Sequence, residues 1–386
     1  MDLPTSVQIR IAERRVNDVN ALGVPDLAQF EAEIDYFRRN IGDVQSDADL
    51  ISDRRLLSFA LAAFDLPDDR NTPALIRNVL SGSPNDPSAL VNQLENRRYR
   101  EFADLFQFPG SGRVAVRSEE VVETVIQRFR DVKTAESRLE ALTDPDETRG
   151  FISARRHREI DYFLQNIGNV QSAEDLVGDY RLYQFVITAF DLQGQENAQG
   201  LISRLISEDF NDDGALFNRL QNIQFREFAT FFQMPGAGER NIQDKRQLMA
   251  VVERYTQVSQ EIEQGEVNPG VRLALYFERN AEDVQSYFGL LADRPLREFV
   301  FQAFRLPPAM NQLPADRLAA RLEELVDLEE LRSPEGREAL LRRFSVSYDA
   351  DNTALGSGAG AILTLFRPIG VSGASAASLF AAATQR

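Results

Sequence analysis

The sequence contains no cysteine, no tryptophan and one histidine, His157. Without cysteine the chain can form no disulfide bond, no thiolate nucleophile and no Cys-ligated metal site. One histidine cannot build a His-rich zinc site, so acid–base chemistry would fall almost entirely to carboxylates. We therefore expect no metal, no cofactor and no enzymatic activity. A carboxylate-based enzyme that uses Asp53 or Asp179 is the least favoured alternative.

Long apolar runs are also missing. No segment approaches the roughly 18 consecutive apolar residues of a membrane helix, and Met1-Asp2-Leu3-Pro4-Thr5 lacks the basic and apolar regions of a secretory signal. We expect no membrane insertion and no cleavable signal peptide.

Basic residues are outnumbered by acidic ones, 43 to 60, and the formal net charge is −17. Because this field opposes contact with phosphates, nucleic acid is not an expected partner. Local basic clusters, such as Arg155-Arg156-His157-Arg158, have acidic neighbours, and we interpret this one as a solvated helix face with His157 at the surface.

The chain repeats itself. Residues 33–66 and 159–192 are identical at 21 of 34 positions with a constant offset of 126 (159 − 33), and the agreement continues to Phe129. A third, diverged copy begins near Tyr276-Phe277 and ends near Phe344. A worn terminal copy is typical of repeat proteins.

Apolar residues recur with the period of an α-helix, as at Leu56, Phe59, Ala63 and Phe64. The helix start is marked by Ser46 with Asp49 three residues later, a variant of the capping box. Ser172 and Asp175 repeat this pattern, whereas Gly289 replaces the acidic residue after Ser286. Leu66-Pro67 and Leu306-Pro307 mark helix ends. We predict an elongated all-α protein of three tandem helical units joined by longer helices.

Four polar positions are kept in all three copies: Asn40, Gln45, Ser46, Asp53 and their counterparts. A duplicated active site usually decays in the extra copies, whereas each copy needs its own helix caps. Asn40 fits the end of one helix and Ser46 the start of the next. Asp53 fits the first turns of that second helix, where the helix dipole favours a carboxylate. We interpret these positions as structural; the alternative is a ligand groove repeated in each copy.

Two longer helices lie between the units, each with a heptad-like apolar stripe. We call them the first seam (Val122, Val125, Phe129, Val132, Leu139, interrupted by Glu136) and the second seam (Leu248, Val251, Tyr255, Val258, Ile262). A seam can pack on its own repeat unit or form a partner-helix surface, so the second seam is a candidate partner-binding site.

After Tyr348 the composition changes to Gly, Ala and Ser, which predicts a flexible tail. Two apolar islands in it can dock on a partner or pack back on the third unit. These candidate partner-binding residues are Ile362, Leu363, Leu365, Phe366, Leu379 and Phe380.

One calcium-like motif, Asp209-Phe210-Asn211-Asp212-Asp213-Gly214, matches the first half of an EF-hand loop. Its twelfth position is Leu220 instead of a bidentate glutamate, and the first copy lacks the pattern. We interpret this segment as an acidic turn between two helices.

The runs Asn166-Ile167-Gly168-Asn169-Val170-Gln171-Ser172 and Asp179-Tyr180-Arg181-Leu182 resemble an alphaproteobacterial family of unknown function encoded in flagellar gene clusters. The third copy departs from it, with Pro295 where the others have Arg55 and Arg181. The resemblance implies flagellar association and no established activity.

From these observations we expect a non-enzymatic flagellum-associated structural or assembly protein that contacts other proteins, flagellar components among them. The alternative is a cytoplasmic adaptor or chaperone for exported subunits. The expected location is the flagellum or the cytoplasm. The predicted divisions are an N-terminal helix (1–32), unit 1 (33–132), a connector helix (133–158), unit 2 (159–258), a connector (259–271), truncated unit 3 (272–346) and the tail (347–386).

Overall fold

The computed structural model describes residues 3–354, apart from 67–71, 83–85, 87, 95, 97, 107–117, 221, 235, 237 and 239–240. Across these residues the regular secondary structure is entirely helical, which confirms the all-α prediction. The tail islands, Ile362 to Phe366 and Leu379 to Phe380, lie outside the described residues.

The helices of repeats 1 and 2 recur in the same order, and repeat 3 keeps the first three and the last. Helix α1 is Thr5–Asn20. Repeat 1 contains α2 Glu31–Asn40, α3 Asp47–Ser52, α4 Arg54–Ala63, α5 Pro73–Ser81, α6 Leu90–Gln93, α7 Arg98–Leu105 and α8 Glu119–Thr143. Repeat 2 contains α9 Ala154–Asn166, α10 Ala173–Gly178, α11 Tyr180–Ala189, α12 Gln199–Ser207, α13 Leu216–Arg219, α14 Ile223–Phe232 and α15 Lys245–Val267. Repeat 3 contains α16 Pro269–Asn280, α17 Tyr287–Ala292, α18 Arg294–Phe304, α19 Ala315–Glu323, α20 Leu328–Arg332 and α21 Pro334–Ala354.

Each repeat is centred on three stacked aromatic rings, one each from its first, third and last helix. Burial of large rings in offset stacks contributes both apolar area and ring–ring attraction. The neighbouring ring centroids lie 3.8 to 4.5 Å apart. The stacks are Phe37–Phe59–Phe129, Phe163–Phe185–Tyr255 and Phe277–Phe299–Phe344.

The third stack shows that repeat 3 also has a closing helix. Its last ring, Phe344, comes from α21, which holds the position that α8 and α15 hold in the other repeats. The helix continues past the predicted end at 346, as far as Ala354. The divergence after Leu306-Pro307 is therefore a change of the intervening segment, and the repeat closes on the same aromatic contact.

The third helix of each repeat (α4, α11 and α18) ends in a turn that contains one residue with a left-handed backbone conformation. Asp65, Asp191 and Arg305 have φ values of 56°, 56° and 52°. The amide of the next residue, as in Leu66 N to Leu61 O at 2.8 Å, satisfies a carbonyl of the last turn. The prolines predicted to stop these helices come after this turn.

The chain folds as two compact units. One comprises Met1–Asn20, Gly150–Pro235 and Val251–Arg386, and the other Ala21–Arg149 and Gly236–Ala250. The first unit holds α1 together with repeats 2 and 3. This differs from the predicted divisions, because α8 and α15 continue through the expected boundaries at 132 and 258 and α1 joins repeat 3.

Candidate functional site

The serines and aspartates kept in all repeats cap helices, and the kept asparagines lie at helix ends. Ser46, Ser172 and Ser286 accept a backbone N–H from the residue three positions later. Repeat 2 has a complete capping box through Asp175, whereas repeat 3 keeps only half because Gly289 has no side chain. The repeated asparagines donate Nδ2 to the carbonyl four residues earlier, at 2.7 to 2.8 Å.

Asp53 lies between two helices and caps the second of them. The predicted single helix is two helices, α3 and α4, and Asp53 is the N-cap between them. Its Oδ1 accepts the N–H groups of Arg55 and Leu56, at 2.9 and 3.0 Å. Asp179 and Asp293 cap α11 and α18 at the equivalent positions. The sequence did not reveal this break because both helices keep one apolar stripe.

The second carboxylate oxygen of each of these aspartates accepts a hydrogen bond from a tyrosine. We call each hydrogen-bonded tyrosine and aspartate a Tyr–Asp pair. In every repeat the tyrosine precedes the aspartate by 17 residues, a constant spacing that is visible in the sequence. The pairs are Tyr36–Asp53, Tyr162–Asp179 and Tyr276–Asp293, with O–O distances of 2.8, 2.7 and 2.8 Å.

In repeats 1 and 2 the pair lies at the surface under an arginine. The Arg55 guanidinium lies 3.8 Å from the Tyr36 ring centroid, and Arg181 lies 3.8 Å from that of Tyr162. Stacked arginine and tyrosine attract through the ring quadrupole. Beside the second pair, Tyr180 is 63% exposed.

The environment holds these two carboxylates in the ionised form. Burial alone would raise the pKa of Asp179, but hydrogen bonds from Leu182 N–H, the Tyr162 hydroxyl and Arg181 N–H outweigh it and lower the pKa. The pKa of Asp53 is lowered for the same reasons. Both oxygens of each aspartate accept hydrogen bonds, one from the capped backbone amides and the other from the tyrosine.

In repeat 3 the pair is covered by repeat 2. The Gln224 side chain, from the first turn of α14, donates to the Tyr276 hydroxyl at 2.9 Å and to Asp293 Oδ2 at 3.5 Å. Tyr276 is 2% exposed. Burial raises the pKa of Asp293 despite its hydrogen bonds, and burial also raises that of Tyr276 well above its ordinary value.

This coverage explains how repeat 3 diverges in sequence. Pro295 and Leu273 replace the arginine and glutamate of repeat 2, Arg181 and Glu159, and both are buried. Nine consecutive residues of α16 are buried, Pro269 through Phe277, whereas α9 buries four residues in all. A helix surrounded by protein needs apolar residues on every side.

A buried ion network also joins repeats 2 and 3. Arg279 makes two hydrogen bonds of 2.9 Å to the Glu261 carboxylate and one of 2.7 Å to Asp191. Glu261 is 2% exposed, and burial raises its pKa although Arg279 lowers it. The position of Arg279 is Gln165 in repeat 2.

The second seam packs inside the protein. Val251, Tyr255 and Val258 are buried, and the Tyr255 ring stacks on Phe185 at 3.8 Å. Leu248 and Ile262 are half-buried. In this conformation the stripe is occupied by intramolecular contacts.

The first seam is buried from Val122 to Val132. Glu136, the residue that interrupts this apolar stripe, forms an ion pair: its Oε1 accepts a 2.7 Å hydrogen bond from Lys245 Nζ. Lys245 Nζ also lies 3.1 Å from Asp65.

The surface assignment of His157 is wrong. His157 and Arg156 are buried, so half of the basic cluster faces inward. His157 Nδ1 lies 3.2 Å from Asp161, and Arg156 pairs with Glu263 at 2.5 Å. Both basic side chains have an acidic partner: Asp161 lies four residues from His157, whereas Glu263 is distant from Arg156 in the sequence.

The calcium-like segment forms the turn between α12 and α13. Asp209 and Asp212 accept the N–H groups of Asn211 and Gly214, so each closes a local turn. Across the described ranges, no cluster of three or more His, Cys, Asp and Glu residues could hold a metal ion. Within the same ranges, no helix combines the length and apolar character needed to cross a membrane.

Comparison with known proteins gives a family without a known activity. No curated protein matches the chain. The crystal structure of protein AGR_C_984 from Agrobacterium tumefaciens is similar, with 29% identity over 55% of this chain and 87% of that chain and a TM-score of 0.47. The model of a family described as "Protein of unknown function (DUF1217)" matches residues 63–196 and 189–336. These two overlapping matches span more than half of the sequence and correspond to repeated copies, so the chain belongs to the DUF1217 family.

Proposed function

We propose that this chain is a non-enzymatic structural or assembly protein of the bacterial flagellum, and that it acts through protein–protein contacts. The proposal rests on one observation: the surface around the Tyr–Asp pair is covered by protein in repeat 3 and half-exposed in repeats 1 and 2. The Tyr–Asp pair of repeat 3 is already a docking surface for a helix start of repeat 2, through Gln224.

The equivalent surfaces of repeats 1 and 2 keep the pair and leave it half-exposed. Each adds an arginine stacked on the tyrosine, and repeat 2 adds the exposed ring of Tyr180. Arginine and tyrosine are, with tryptophan, the residues enriched where protein interfaces gain most of their binding energy. We assign these two surfaces to partner proteins.

The hydrogen bonds already made by the Asp53 and Asp179 carboxylates support a non-catalytic role. Asp53 and Asp179, the candidates of the enzyme hypothesis, use both oxygens in caps and tyrosine hydrogen bonds. The flagellar part of the proposal is supported by the resemblance of the Val-Gln-Ser and Asp-x-Arg-Leu runs to a family encoded in flagellar gene clusters.

Photo-crosslinking in native cells tests the contact surface. A photoreactive amino acid replaces Tyr180 in one strain and Phe151, which is 44% exposed and outside the surface, in a control strain. We expect specific adducts from position 180, identified by mass spectrometry as flagellar proteins. Equal adducts from both positions, or none from position 180, would show that the surface is not a partner site.

Fractionation tests the flagellar assignment separately. We expect the chain to co-purify with flagellar structures. If it stays in the cytoplasm of cells with intact flagella while position 180 still crosslinks exported subunits, the protein is instead their adaptor or chaperone.

A further inference from the structure

Helix α7 of repeat 1 and helix α14 of repeat 2 each pack on a phenylalanine at the end of the third helix. Each contributes two phenylalanines four residues apart, whose ring centroids lie 5.5 to 6.1 Å from that of the covered ring. The covered rings are 2% and 4% exposed. They are Phe64, which contacts Phe102 and Phe106, and Phe190, which contacts Phe228 and Phe232.

Repeat 3 has the equivalent ring without such a helix. Phe304 ends α18, and the Arg343 guanidinium lies 4.5 Å from its ring centroid, as Arg128 lies 4.7 Å from that of Phe64. The chain between α18 and α21, residues 305–333, is described throughout and contains no phenylalanine. Among the described residues no aromatic ring stacks on Phe304, which is only half-buried. One side of this ring therefore lacks the cover that the other repeats have.

A cavity of about 290 Å³ lies at this end of α18. Its walls include Arg305 and Leu306, which follow α18, and Asp351 in the last turn of α21. Arg305 is the left-handed residue that corresponds to Asp65 of repeat 1. There the start of α7 occupies the equivalent place, because Arg98 Nη1 donates to the carbonyl oxygen of Asp65 at 2.7 Å. The cavity thus marks where repeat 3 lacks the start of this helix.

The first apolar island of the tail, residues 362–366, has the residue spacing of α7 and α14. Ile362 and Phe366 are four residues apart, as are the two phenylalanines of each of those helices, and this spacing places both on one helix face. In all three segments the last phenylalanine is followed by a proline and, four residues later, by a glycine, which are residues that end helices. These endings are Pro109-Gly110, Pro235-Gly236 and Pro368-Ile369-Gly370.

The tail can reach the cavity from the end of α21. Helix α21 ends at Ala354, and Ile362 follows eight residues later (362 − 354). Eight extended residues span up to roughly 28 Å. The charge pattern also fits: the position of Arg98, eight residues before the last phenylalanine (106 − 98), is Gly358 in the tail (366 − 358). An arginine there would face the like charge of Arg305, whereas glycine brings none.

We propose that residues 362–366 complete repeat 3: the segment packs as a helix on Phe304, with Ile362 and Phe366 in the places that two phenylalanines hold in the other repeats. The helix that repeat 3 lacks before its closing helix is supplied after it. The second island, Leu379-Phe380, is not the occupant, because it has Ala376 at the first apolar position and no proline or glycine after it.

Because the chain has no tryptophan, a single introduced indole reports on one position. Phe366→Trp places it in the proposed contact, and Phe380→Trp places it in the second island as the control. We expect the acrylamide quenching constant of Phe366→Trp to be roughly threefold lower than that of Phe380→Trp, because packing removes most of the accessible surface of a large ring. Equal quenching would overturn the proposal. Protection that is lost on dilution would also overturn it, since the occupant would then be the tail of a second copy.

Two substitutions in the Phe366→Trp chain test which face of the segment packs. Ile362→Asp places a charge on the packed face and should raise the quenching constant to that of Phe380→Trp. Thr364→Asp is the matched control, because the equivalent residue of α7 is Asp104, which is exposed. It should leave the quenching unchanged. Equal effects of the two substitutions would contradict a packed helix face.

Phe304→Ala in the same chain tests the receiving ring. It removes the surface on which the segment packs, so the quenching constant should rise as it does with Ile362→Asp. Unchanged quenching would show that the segment packs elsewhere and would overturn the proposal. If circular dichroism shows that Phe304→Ala is unfolded, Phe304→Leu replaces it, and because it also removes the ring, a rise of the quenching constant is again expected.

Discussion

Repeats 2 and 3 build the same Tyr–Asp pair and use it in opposite ways. In repeat 2 the pair is half-exposed beneath Arg181 and the pKa of Asp179 is lowered. In repeat 3 the pair is covered by Gln224 and the pKa of Asp293 is raised by burial. The hydrogen bond itself is the same within 0.1 Å. The difference shows that a repeated structural element becomes a docking surface when a neighbouring repeat covers it.

The largest expected effect comes from the aromatic stack, which repeats 2 and 3 share. Phe185→Ala and Phe299→Ala each remove the middle ring of an aromatic stack, and each should lower the free energy of unfolding by about 4 kcal/mol. Urea denaturation followed by circular dichroism measures both. Losses that differ by more than about 2 kcal/mol would contradict the view that the stacks are equivalent.

Arg279→Gln gives repeat 3 the residue that repeat 2 has at this position, Gln165. It leaves the buried Glu261 without its bidentate partner, so we expect a loss of about 3 kcal/mol, the low end for a broken buried ion pair because Arg279 keeps some exposure. Thermal denaturation measures it. The matched variant Glu261→Gln in the Arg279→Gln background should recover part of this loss, and no recovery would show that the buried charge is not its cause.

Removal of the capping aspartate should distinguish the covered pair from the open one. Asp179→Ala should cost about 1 kcal/mol, the usual value of an N-cap. Asp293→Ala should cost about 3 kcal/mol, because it also leaves the buried Tyr276 hydroxyl without its acceptor and removes the second acceptor of the Gln224 amide. Equal losses in urea denaturation would mean that Gln224 does not cover the pair in solution.

The smallest effects are the pH dependences of Asp179→Asn and Asp293→Asn, which should have opposite signs. Asp179, with its lowered pKa, contributes stability above its ordinary value of 3.8 that is lost as pH falls through the folded-state pKa. Asp293, with its raised pKa, contributes stability at low pH that is lost as pH rises above 3.8. From about pH 3 to pH 7, the Tm of Asp179→Asn relative to the parent should fall, while that of Asp293→Asn should rise. Slopes of the same sign would refute the assignment.

The sequence predicts the local structure well because local structure follows from neighbouring residues. Helical periods, the Ser46-type caps and the loss of half a cap at Gly289 all depend on residues within four positions of each other. The break at Asp53 was hidden, since the apolar stripe continues across it. The constant 17-residue spacing of tyrosine and aspartate could have revealed the pair, but only if hydrogen bonding between the two helices had been considered.

Long-range packing was not predictable in the same way. Nothing in α1 itself indicates that Ile9 and Ala12 belong to the core of repeat 3, more than 250 residues away along the chain. The burial of Arg156 likewise depends on an acidic partner brought close by folding, Glu263, which lies 107 residues away along the chain. The apolar replacements Leu273 and Pro295 are visible in the sequence, but they do not identify the helix that covers them.

Hydrogen exchange of two equivalent amides tests the central comparison directly. Leu182 N–H and Leu296 N–H each donate to the capping aspartate of their helix, at 3.0 and 2.9 Å. Both amides lie in the same molecule, so each is the internal control for the other. Residue-resolved exchange by mass spectrometry with electron-transfer fragmentation, corrected for intrinsic rates, should show Leu296 at least about tenfold more protected than Leu182. Equal protection, or greater protection at Leu182, would contradict the claim that repeat 2 covers the Tyr–Asp pair of repeat 3 and leaves its own pair open.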